Sequence, residues 1–221
     1  MKTNAGLLFD LDGTLLDTDS LHLNAFNMLL ADFGKSVTID YYNQKIMGAP
    51  METITRDLFP QMPSQERHEL GERKEALFRE QLTGPLEGRP GVTAFFEKAK
   101  RYGVGICIVT NAPRESAEMM LRGLHLLDAV DHLLIGAELP HSKPNPYPYQ
   151  EAMRRLGITP DKALAFEDSG PGVQSASAAG IFTFGLKGAL DENALLKYGA
   201  SAAIADFTDP LLASRFSNIV G

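Results

Sequence analysis

The stretch AGLLFDLDGT, residues 5–14, joins an apolar run to two acids that are separated by one residue. An uninterrupted apolar run of this length is typical of a strand buried on both faces. Gly13 permits a tight turn that would bring Asp12 back toward Asp10. Acids at the end of a buried strand are costly to leave unpaired, so this stretch predicts a site for a metal ion or for catalysis.

Short apolar runs like this one recur along the chain, with helical patterns between them. They lie at residues 5–9, 104–109, 132–135, 163–166, 181–184 and 202–205. Apolar strands that alternate with helices are typical of a parallel sheet covered by helices on both faces. The sequence therefore predicts the α/β class, with a doubly wound, Rossmann-like parallel-sheet core. Two connecting helices are expected at residues 116–124 and 175–179, the second of them ending at Gly180.

A long segment separates the first predicted strand from the second. Roughly ninety residues lie there, far more than one crossover helix needs. The pattern of the segment is helical, with four apolar residues on one face: Leu21, Ala25, Met28 and Leu29. We therefore predict a small helical cap at residues 18–86, inserted into an α/β core formed by residues 1–17 and 87–221.

The second half of this segment is charged. Residues 66–82 are helix-prone and are followed by turn residues at 83–85 and 88–91. The basic residues between Arg67 and Arg79 are interleaved with glutamates, so we interpret this run as a solvated helix face.

The overall composition narrows the class of protein. A net charge of −7 disfavours nucleic acid as a partner, since binding to its backbone needs clustered basic residues. Cys107 is the single cysteine, which excludes an intrachain disulfide and fits a reducing compartment. No run approaches the length of a membrane span, and acids interrupt the first apolar run, so no secretory signal is indicated. We expect a cytoplasmic protein without a membrane partner, and the sequence does not indicate its oligomeric state.

A second pair of acids follows another predicted strand. Glu167 and Asp168 come directly after residues 163–166, and they could hold one hard divalent cation together with the first pair. For the first pair, Asp10 and Asp12, a turn with solvated acids is the open alternative, because Asp-Gly is common in turns. A calcium-binding loop that begins at Asp10 is excluded, since its required Gly and closing Glu would fall on Leu15 and Leu21.

The motif DLDGTLLDT, residues 10–18, resembles the first signature of the haloacid dehalogenase superfamily. The resemblance is to the phosphatase branch, because dehalogenase members lack the second acid. Three later stretches resemble the remaining signatures in order: Thr110-Asn111 after the strand GICIVT, Ser142-Lys143-Pro144-Asn145-Pro146, and Glu167-Asp168-Ser169. The helical insertion resembles the subfamily with an α-helical cap, which includes β-phosphoglucomutases and phosphoglycolate phosphatases.

This resemblance implies a role for each signature. Asp10 is implied to attack the phosphorus, while Asp12 protonates the leaving oxygen and later activates water to hydrolyse the aspartyl-phosphate. Thr110 and Asn111 are implied to hold the phosphoryl oxygens, through the hydroxyl and neighbouring backbone N–H groups. Lys143 is implied to neutralise charge on the nucleophile and on the phosphoryl group.

The resemblance also implies Mg²⁺ as the cofactor. Its ligands would be the side chains of Asp10 and Asp168, the main-chain carbonyl of Asp12, and Glu167 either directly or through water. Magnesium and Lys143 would then screen the repulsion between carboxylate and phosphate.

In the resembling subfamily the cap selects the substrate. The candidates for that contact are four single residues, Asp17, His22, Lys45 and Arg56, together with the loop at residues 47–51. His22 stands where β-phosphoglucomutases carry a histidine. Those mutases also place an arginine shortly after the loop glycine to hold a second phosphate, whereas Ala49, Pro50 and Met51 follow Gly48 here.

The preferred interpretation is therefore a Mg²⁺-dependent phosphatase that hydrolyses a small phosphomonoester, of the sugar phosphate, phosphoglycolate or nucleotide class. A phosphosugar mutase is the first alternative. A non-catalytic metal-binding or regulatory protein of the same fold is the second. Magnesium binding without turnover of any phosphate ester would distinguish it.

Overall fold

The computed structural model of the protein describes residues 4–83 and 86–221. The turn predicted at residues 83–85 includes two positions that lie outside the described residues. Six strands are present: β1 (Gly6–Phe9), β2 (Gly105–Thr110), β3 (His132–Ile135), β4 (Ala163–Glu167), β5 (Phe182–Leu186) and β6 (Ala202–Ile204). Each begins and ends within two residues of its predicted position.

The six strands form one parallel sheet in the order β3-β2-β1-β4-β5-β6. Strand β1 lies between β2 and β4, with Phe9 opposite Ile108 on one side and Phe166 on the other. The strand order therefore reverses beside β1, and in open α/β sheets ligands bind at such a switch point, beyond the carboxyl ends of the strands. The predicted doubly wound class is confirmed.

The segment between β1 and β2 begins with helical elements. They are α1 (Asp19–Ala31), α2 (Ile39–Tyr41) with a π-helical turn (Tyr42–Ile46), α3 (Met51–Leu58) and α4 (Ser64–Arg79). These elements surround an apolar cluster of their own, which includes Phe26, Leu29, Leu30, Val37, Tyr42, Ile46, Ile54, Phe59 and Leu70. The helical insertion is thus observed as predicted, while its division from the core as a separate cap domain stays a prediction.

Two details of the insertion differ from the sequence-based interpretation. Met28 is 45% exposed, because the buried face of α1 runs through Phe26 and Leu30 rather than through Met28. The charged run on α4 is not solvated throughout, since Lys74 is only 2% exposed and the neighbouring Glu75 is also buried. The reason is tertiary: α4 packs against α1, α3 and the helix that follows β2.

Helices cover both faces of the sheet. On one face lie α5 (Val92–Arg101), α6 (Arg114–Gly123) and, near the C-terminus, α10 (Pro210–Val220). The opposite face carries α7 (Tyr147–Leu156) and α8 (Gly170–Ala178), and α9 (Glu192–Tyr198) packs against α8. Within the described residues, no helix is long and apolar enough to cross a membrane.

Helix α8 begins earlier than its apolar pattern predicts. The Oγ of Ser169 accepts a hydrogen bond from the backbone N–H of Gly172 at 3.2 Å, and Pro171 occupies the first turn. Ser169 therefore caps the helix. The helix therefore starts immediately after the acid pair at the end of β4.

Candidate active site

The polar residues at the ends of three adjacent strands meet at one edge of the sheet. Asp10 directly follows β1, Thr110 ends β2 and Glu167 ends β4, and all three side chains are buried. A cavity of about 900 Å³ lies over this edge and is lined by the insertion on its other side. Asp10, Thr110 and Lys143 all contribute to its walls.

Lys143 joins two of the buried carboxylates. Its Nζ lies 2.6 Å from the Oδ1 of Asp10 and 2.6 Å from the Oε1 of Glu167. The hydroxyl of Tyr149, on α7, donates a hydrogen bond to the same oxygen of Glu167. Burial alone would lower the pKa of Lys143, but the two carboxylates outweigh it and raise that pKa. Lys143 is therefore a fixed positive charge beneath the cavity.

Three carboxylates converge beside this lysine. Asp10, Glu167 and Asp168 each offer an oxygen atom, and these atoms lie within 4.8 Å of one another. Burial raises the pKa of Asp10 to about 8, although Lys143 opposes the shift. Burial, and to a smaller extent the charges of Asp10 and Glu167, raise the pKa of Asp168 well above its usual value. The cluster thus holds more negative charge than Lys143 alone can balance.

The donor set of this cluster fits a hard divalent cation. The Oε2 of Glu167 is buried, and no described residue offers it a hydrogen-bond partner. The Oδ1 of Asp168 is held by the hydroxyl of Thr14 at 3.1 Å, which fixes its orientation. Carboxylate oxygens are preferred ligands of Mg²⁺, and a divalent ion here would relieve the repulsion between the acids.

Two glycines allow the backbone to approach these acids. Gly13 has a φ of +73°, and a Cβ at this position would lie 2.0 Å from the Oδ2 of Asp168. A Cβ at Gly172 would lie 1.8 Å from the Oε2 of Glu167. Any larger residue at either position would therefore displace a carboxylate of the cluster.

The carboxylate of Asp12 faces the insertion rather than the acid cluster. Its Oδ1 accepts a hydrogen bond from the hydroxyl of Thr18 at 2.9 Å and lies 2.9 Å from the Nε2 of His22. Burial raises the pKa of Asp12, but His22 and Thr18 outweigh it and bring the pKa below its usual value. The role of the Asp12 main-chain carbonyl as a metal ligand stays a prediction.

The second ring nitrogen of His22 contacts a residue of α4 that the sequence analysis missed. The Nζ of Lys74, on α4, lies 2.6 Å from His22 Nδ1. An ammonium group can only donate, so with Lys74 charged and His22 neutral, Nδ1 would accept and Nε2 would carry the proton that faces Asp12. Lys74 was assigned to a solvated face because its neighbours in sequence are charged. Its contact with His22 spans 52 positions and leaves no local signal.

Thr110, the last residue of β2, and Asn111, which follows it, both line the cavity. The hydroxyl of Thr110 accepts a hydrogen bond from the backbone N–H of Ala112 at 3.0 Å. The side-chain amide of Asn111 donates to the carbonyl of Gly48 at 3.0 Å and so joins the core to the insertion. Gly48 also packs closely on the core, since a Cβ there would lie 2.4 Å from the Oγ of Ser169.

The predicted cap residues do not all come together. His22 and the loop at residues 47–51 line the cavity, whereas Asp17, Lys45 and Arg56 are exposed and are not among its lining residues. Helix α3 buries Ile54 and Thr55, so Arg56 falls on its outer side. The insertion instead presents other polar side chains to the cavity, among them Asp19, Tyr42, Glu52, Arg67, His68, Glu72, Lys74, Glu75 and Arg79.

Comparison with known proteins identifies relatives along most of the chain. The profile of the family described as haloacid dehalogenase-like hydrolase matches residues 7–186. A phosphorylated carbohydrates phosphatase from Thermotoga maritima is 32% identical over 205 residues, covering 90% of this chain and 93% of the relative. The fructose-1-phosphate phosphatase YqaB from Escherichia coli is 30% identical over 186 residues, covering 80% of this chain and 93% of the relative.

A similar solved structure is that of CbbY from Rhodobacter sphaeroides in complex with xylulose-(1,5)bisphosphate. Its sequence is 28% identical to this chain, the TM-score is 0.78, and the match covers 93% of this chain and 95% of that one. The similarity therefore extends over the sheet and the helical insertion together.

Proposed function

Because the chain belongs to the haloacid dehalogenase-like hydrolase family, we propose that it is a phosphatase that hydrolyses small phosphorylated carbohydrates. The observation that carries the proposal is the position of Lys143 between the carboxylates of Asp10 and Glu167, directly beneath the cavity. A buried carboxylate beside a fixed cation can approach a phosphate dianion without the full cost of charge repulsion.

The first chemical step is assigned to Asp10. One of its oxygens forms a bond to phosphorus while the bond from phosphorus to the ester oxygen breaks, which leaves an aspartyl-phosphate. Lys143 stabilises the negative charge that accumulates on the transferring group. A divalent ion, which we propose to be Mg²⁺ held by Asp10, Glu167, Asp168 and the Asp12 carbonyl, would screen the same charge.

Asp12 is assigned the proton transfers. It gives a proton to the departing ester oxygen, and in the second step it takes one from the water that attacks the aspartyl-phosphate. Without ligand, His22 and Thr18 favour the ionised carboxylate of Asp12. A phosphate group entering the cavity brings negative charge beside Asp12, which raises its pKa and favours the protonated acid that the first step requires.

The class of substrate is supported by the cavity and by the relatives. A volume of about 900 Å³ exceeds what a two-carbon phosphate ester needs. The wall contributed by the insertion carries hydrogen-bonding groups such as Asp19 and Tyr42, which suit the hydroxyl groups of a sugar. Two of the relatives are themselves named as phosphatases of carbohydrate phosphates.

The experiment that tests this function is phosphate release from a panel of esters. The panel contains fructose 1-phosphate, glucose 6-phosphate, β-glucose 1-phosphate, phosphoglycolate and a nucleoside monophosphate, each with Mg²⁺ and with a chelator. We expect the sugar phosphates to be hydrolysed fastest, and only with the metal. Isomerisation of β-glucose 1-phosphate without release would indicate the mutase instead. Metal binding without turnover would indicate a non-catalytic protein.

The matched variant in this assay is Asp10→Asn. It preserves the size of the side chain but removes the nucleophile, so the rate should fall by roughly a thousandfold or more. A variant with the rate of the unmodified protein would contradict the assignment of Asp10.

A further inference from the structure

Helix α4 carries a buried ion pair to which the proposed chemistry gives no direct part. The Nζ of Lys74 lies 2.8 Å from the Oε1 of Glu75, and both side chains are buried. Burying two charges costs free energy unless each is satisfied by well-placed partners. The other hydrogen-bond partners of Lys74 and Glu75 therefore indicate which groups the pair positions.

Glu75 reaches from the insertion to the core. Its second oxygen, Oε2, accepts a hydrogen bond at 2.9 Å from the hydroxyl of Ser116. Ser116 is fully buried and lies in the first turn of α6, which packs on the sheet. The two oxygens of one carboxylate are thus divided between a lysine of the insertion and a serine of the core.

Lys74 continues the same chain of contacts toward the site. The ammonium group lies between Glu75 and the Nδ1 of His22, and the Nε2 of His22 faces Asp12. We propose that Glu75 and Ser116 are positioning residues, which hold the Lys74 ammonium against His22 and thereby fix the imidazole tautomer that donates to Asp12. This inference rests on the proposed function, in which Asp12 exchanges a proton with the leaving oxygen.

The tautomer of His22 determines whether a donor or a lone pair faces Asp12. A protonated Lys74 forces Nδ1 to accept, so Nε2–H points at the carboxylate of Asp12. If Lys74 lost its proton, Nδ1–H could donate to the amine, and Asp12 would then face a lone pair on Nε2. Burial lowers the pKa of Lys74 and Glu75 opposes that shift, which agrees with a role for Glu75 in keeping the ammonium charged.

The kinetic test compares two aryl esters of similar shape, 4-nitrophenyl phosphate and phenyl phosphate. Nitrophenolate departs readily without a proton, whereas phenolate depends more strongly on the acid. In Ser116→Ala and in Glu75→Gln we expect kcat/KM for phenyl phosphate to fall on the order of tenfold more than for the nitrophenyl ester. An equal loss for both esters would overturn the proposal, because a merely structural defect does not depend on the leaving group.

The matched control is Asp32→Asn. Asp32 forms an ion pair with Arg73 at 2.5 Å, which joins α4 to the end of α1 at an exposed position. This substitution removes a contact of α4 but leaves the path from Ser116 to Asp12 in place. The ratio of the two kcat/KM values should therefore stay that of the unmodified protein, and a changed ratio would contradict the assigned path.

A second measurement does not depend on turnover. The ¹⁵N shifts of the histidine ring nitrogens in the metal-free protein distinguish the two tautomers, and His22→Gln identifies the signals of His22. We expect Glu75→Gln to change these signals, whereas unchanged signals would overturn the proposal. If the unmodified protein hydrolysed no ester at all, the proposed function would fail while this readout still decided the inference.

Discussion

Lys143 is the residue on which the charge balance of the site depends. It is buried between Asp10 and Glu167, and removing its ammonium group would leave two buried carboxylates facing each other. Breaking a buried pair by deleting one partner costs about 3–5 kcal/mol of the free energy of unfolding. The same charge is assigned to the stabilisation of the transferring phosphoryl group.

We therefore expect Lys143→Met to lower both stability and kcat/KM, and we expect added Mg²⁺ to restore part of the stability but not the rate. Urea denaturation and steady-state kinetics on the best sugar phosphate measure the two effects. Lys143→Arg, which keeps the charge, is the control. If stability fell while kcat/KM remained normal, the lysine would have a structural role alone.

The raised pKa values of the acid cluster predict how pH and metal act together. The pKa of Asp10 is near 8 in the folded protein and 3.8 in the unfolded chain, so the folded state binds more protons between these values. Stability contributed by this group is present at low pH and is lost as pH rises toward 8. A cation that binds the ionised carboxylate competes with that proton, so its affinity should increase over the same range.

The shift in Tm produced by a fixed concentration of Mg²⁺ should accordingly grow from pH 5 to pH 8. Thermal unfolding with Mg²⁺ and with a chelator at each pH gives this shift. Asp10→Asn removes one of the titrating acids, and it should weaken the dependence, while the raised pKa values of Glu167 and Asp168 keep part of it. A shift that is independent of pH in the unmodified protein would contradict the coupling.

At the scale of single elements, the turn after β1 brings the backbone against the acid cluster. Gly13→Ala should destabilise the protein by more than the roughly 1–2 kcal/mol that a positive φ costs an alanine, because its Cβ would also collide with Asp168. Gly34→Ala is the matched control: Gly34 has a φ of +61°, and a Cβ there would meet nothing within 4 Å.

The difference in unfolding free energy between these two variants isolates the collision. We also expect Gly13→Ala alone to weaken the binding of Mg²⁺, which isothermal titration measures. Equal effects of the two substitutions on stability, with metal binding intact in both, would show that Asp168 moves aside without consequence.

The sequence predicts elements well where the physical cause is local. Apolar runs gave the six strands within two residues, and Ser169 with Pro171 explains the start of α8. Helix α4 shows where this reasoning stops. Its charged pattern is that of a solvated helix, but packing against α1 and α6 buries Lys74 and Glu75, and the partners of both residues come from distant parts of the chain.

For the whole molecule, the important relation is that between the insertion and the core. The sequence placed Asp10, Glu167 and Asp168 at strand ends, and a parallel sheet brings such ends together whatever their separation along the chain. The residues of the insertion that line the cavity were predicted only in part, through His22 and the loop at residues 47–51. Among Asp17, His22, Lys45 and Arg56 only His22 does so, because the facing of each helix is set by packing rather than by composition.

The contact of Gly48 with the core gives a prediction at this scale. Gly48→Ala would place a Cβ 2.4 Å from the Oγ of Ser169, at a φ of +72°, and should push the loop at residues 47–51 away from Asn111. We expect KM for a sugar phosphate to rise severalfold, with a smaller change for 4-nitrophenyl phosphate, which needs fewer contacts with the insertion. In Ser169→Gly combined with Gly48→Ala, the KM should recover in part, because both the Oγ and the Cβ of Ser169, at 2.4 and 2.6 Å, are then removed. An unchanged KM in the single variant would indicate that this contact does not shape the cavity.

The helical insertion leaves the chain after β1 and returns before β2, so both of its connections lie outside the hydrogen-bonded ladder of the sheet. Its sequence can therefore change without disturbing the register of the strands. New substrate specificities can evolve in the insertion while the catalytic groups of the core stay unchanged. Glu75 sets a limit on that freedom, because it joins the insertion to Ser116 of the core, while its partner Lys74 contacts His22 within the insertion. A grafted insertion from another lineage would need to carry this pair with it.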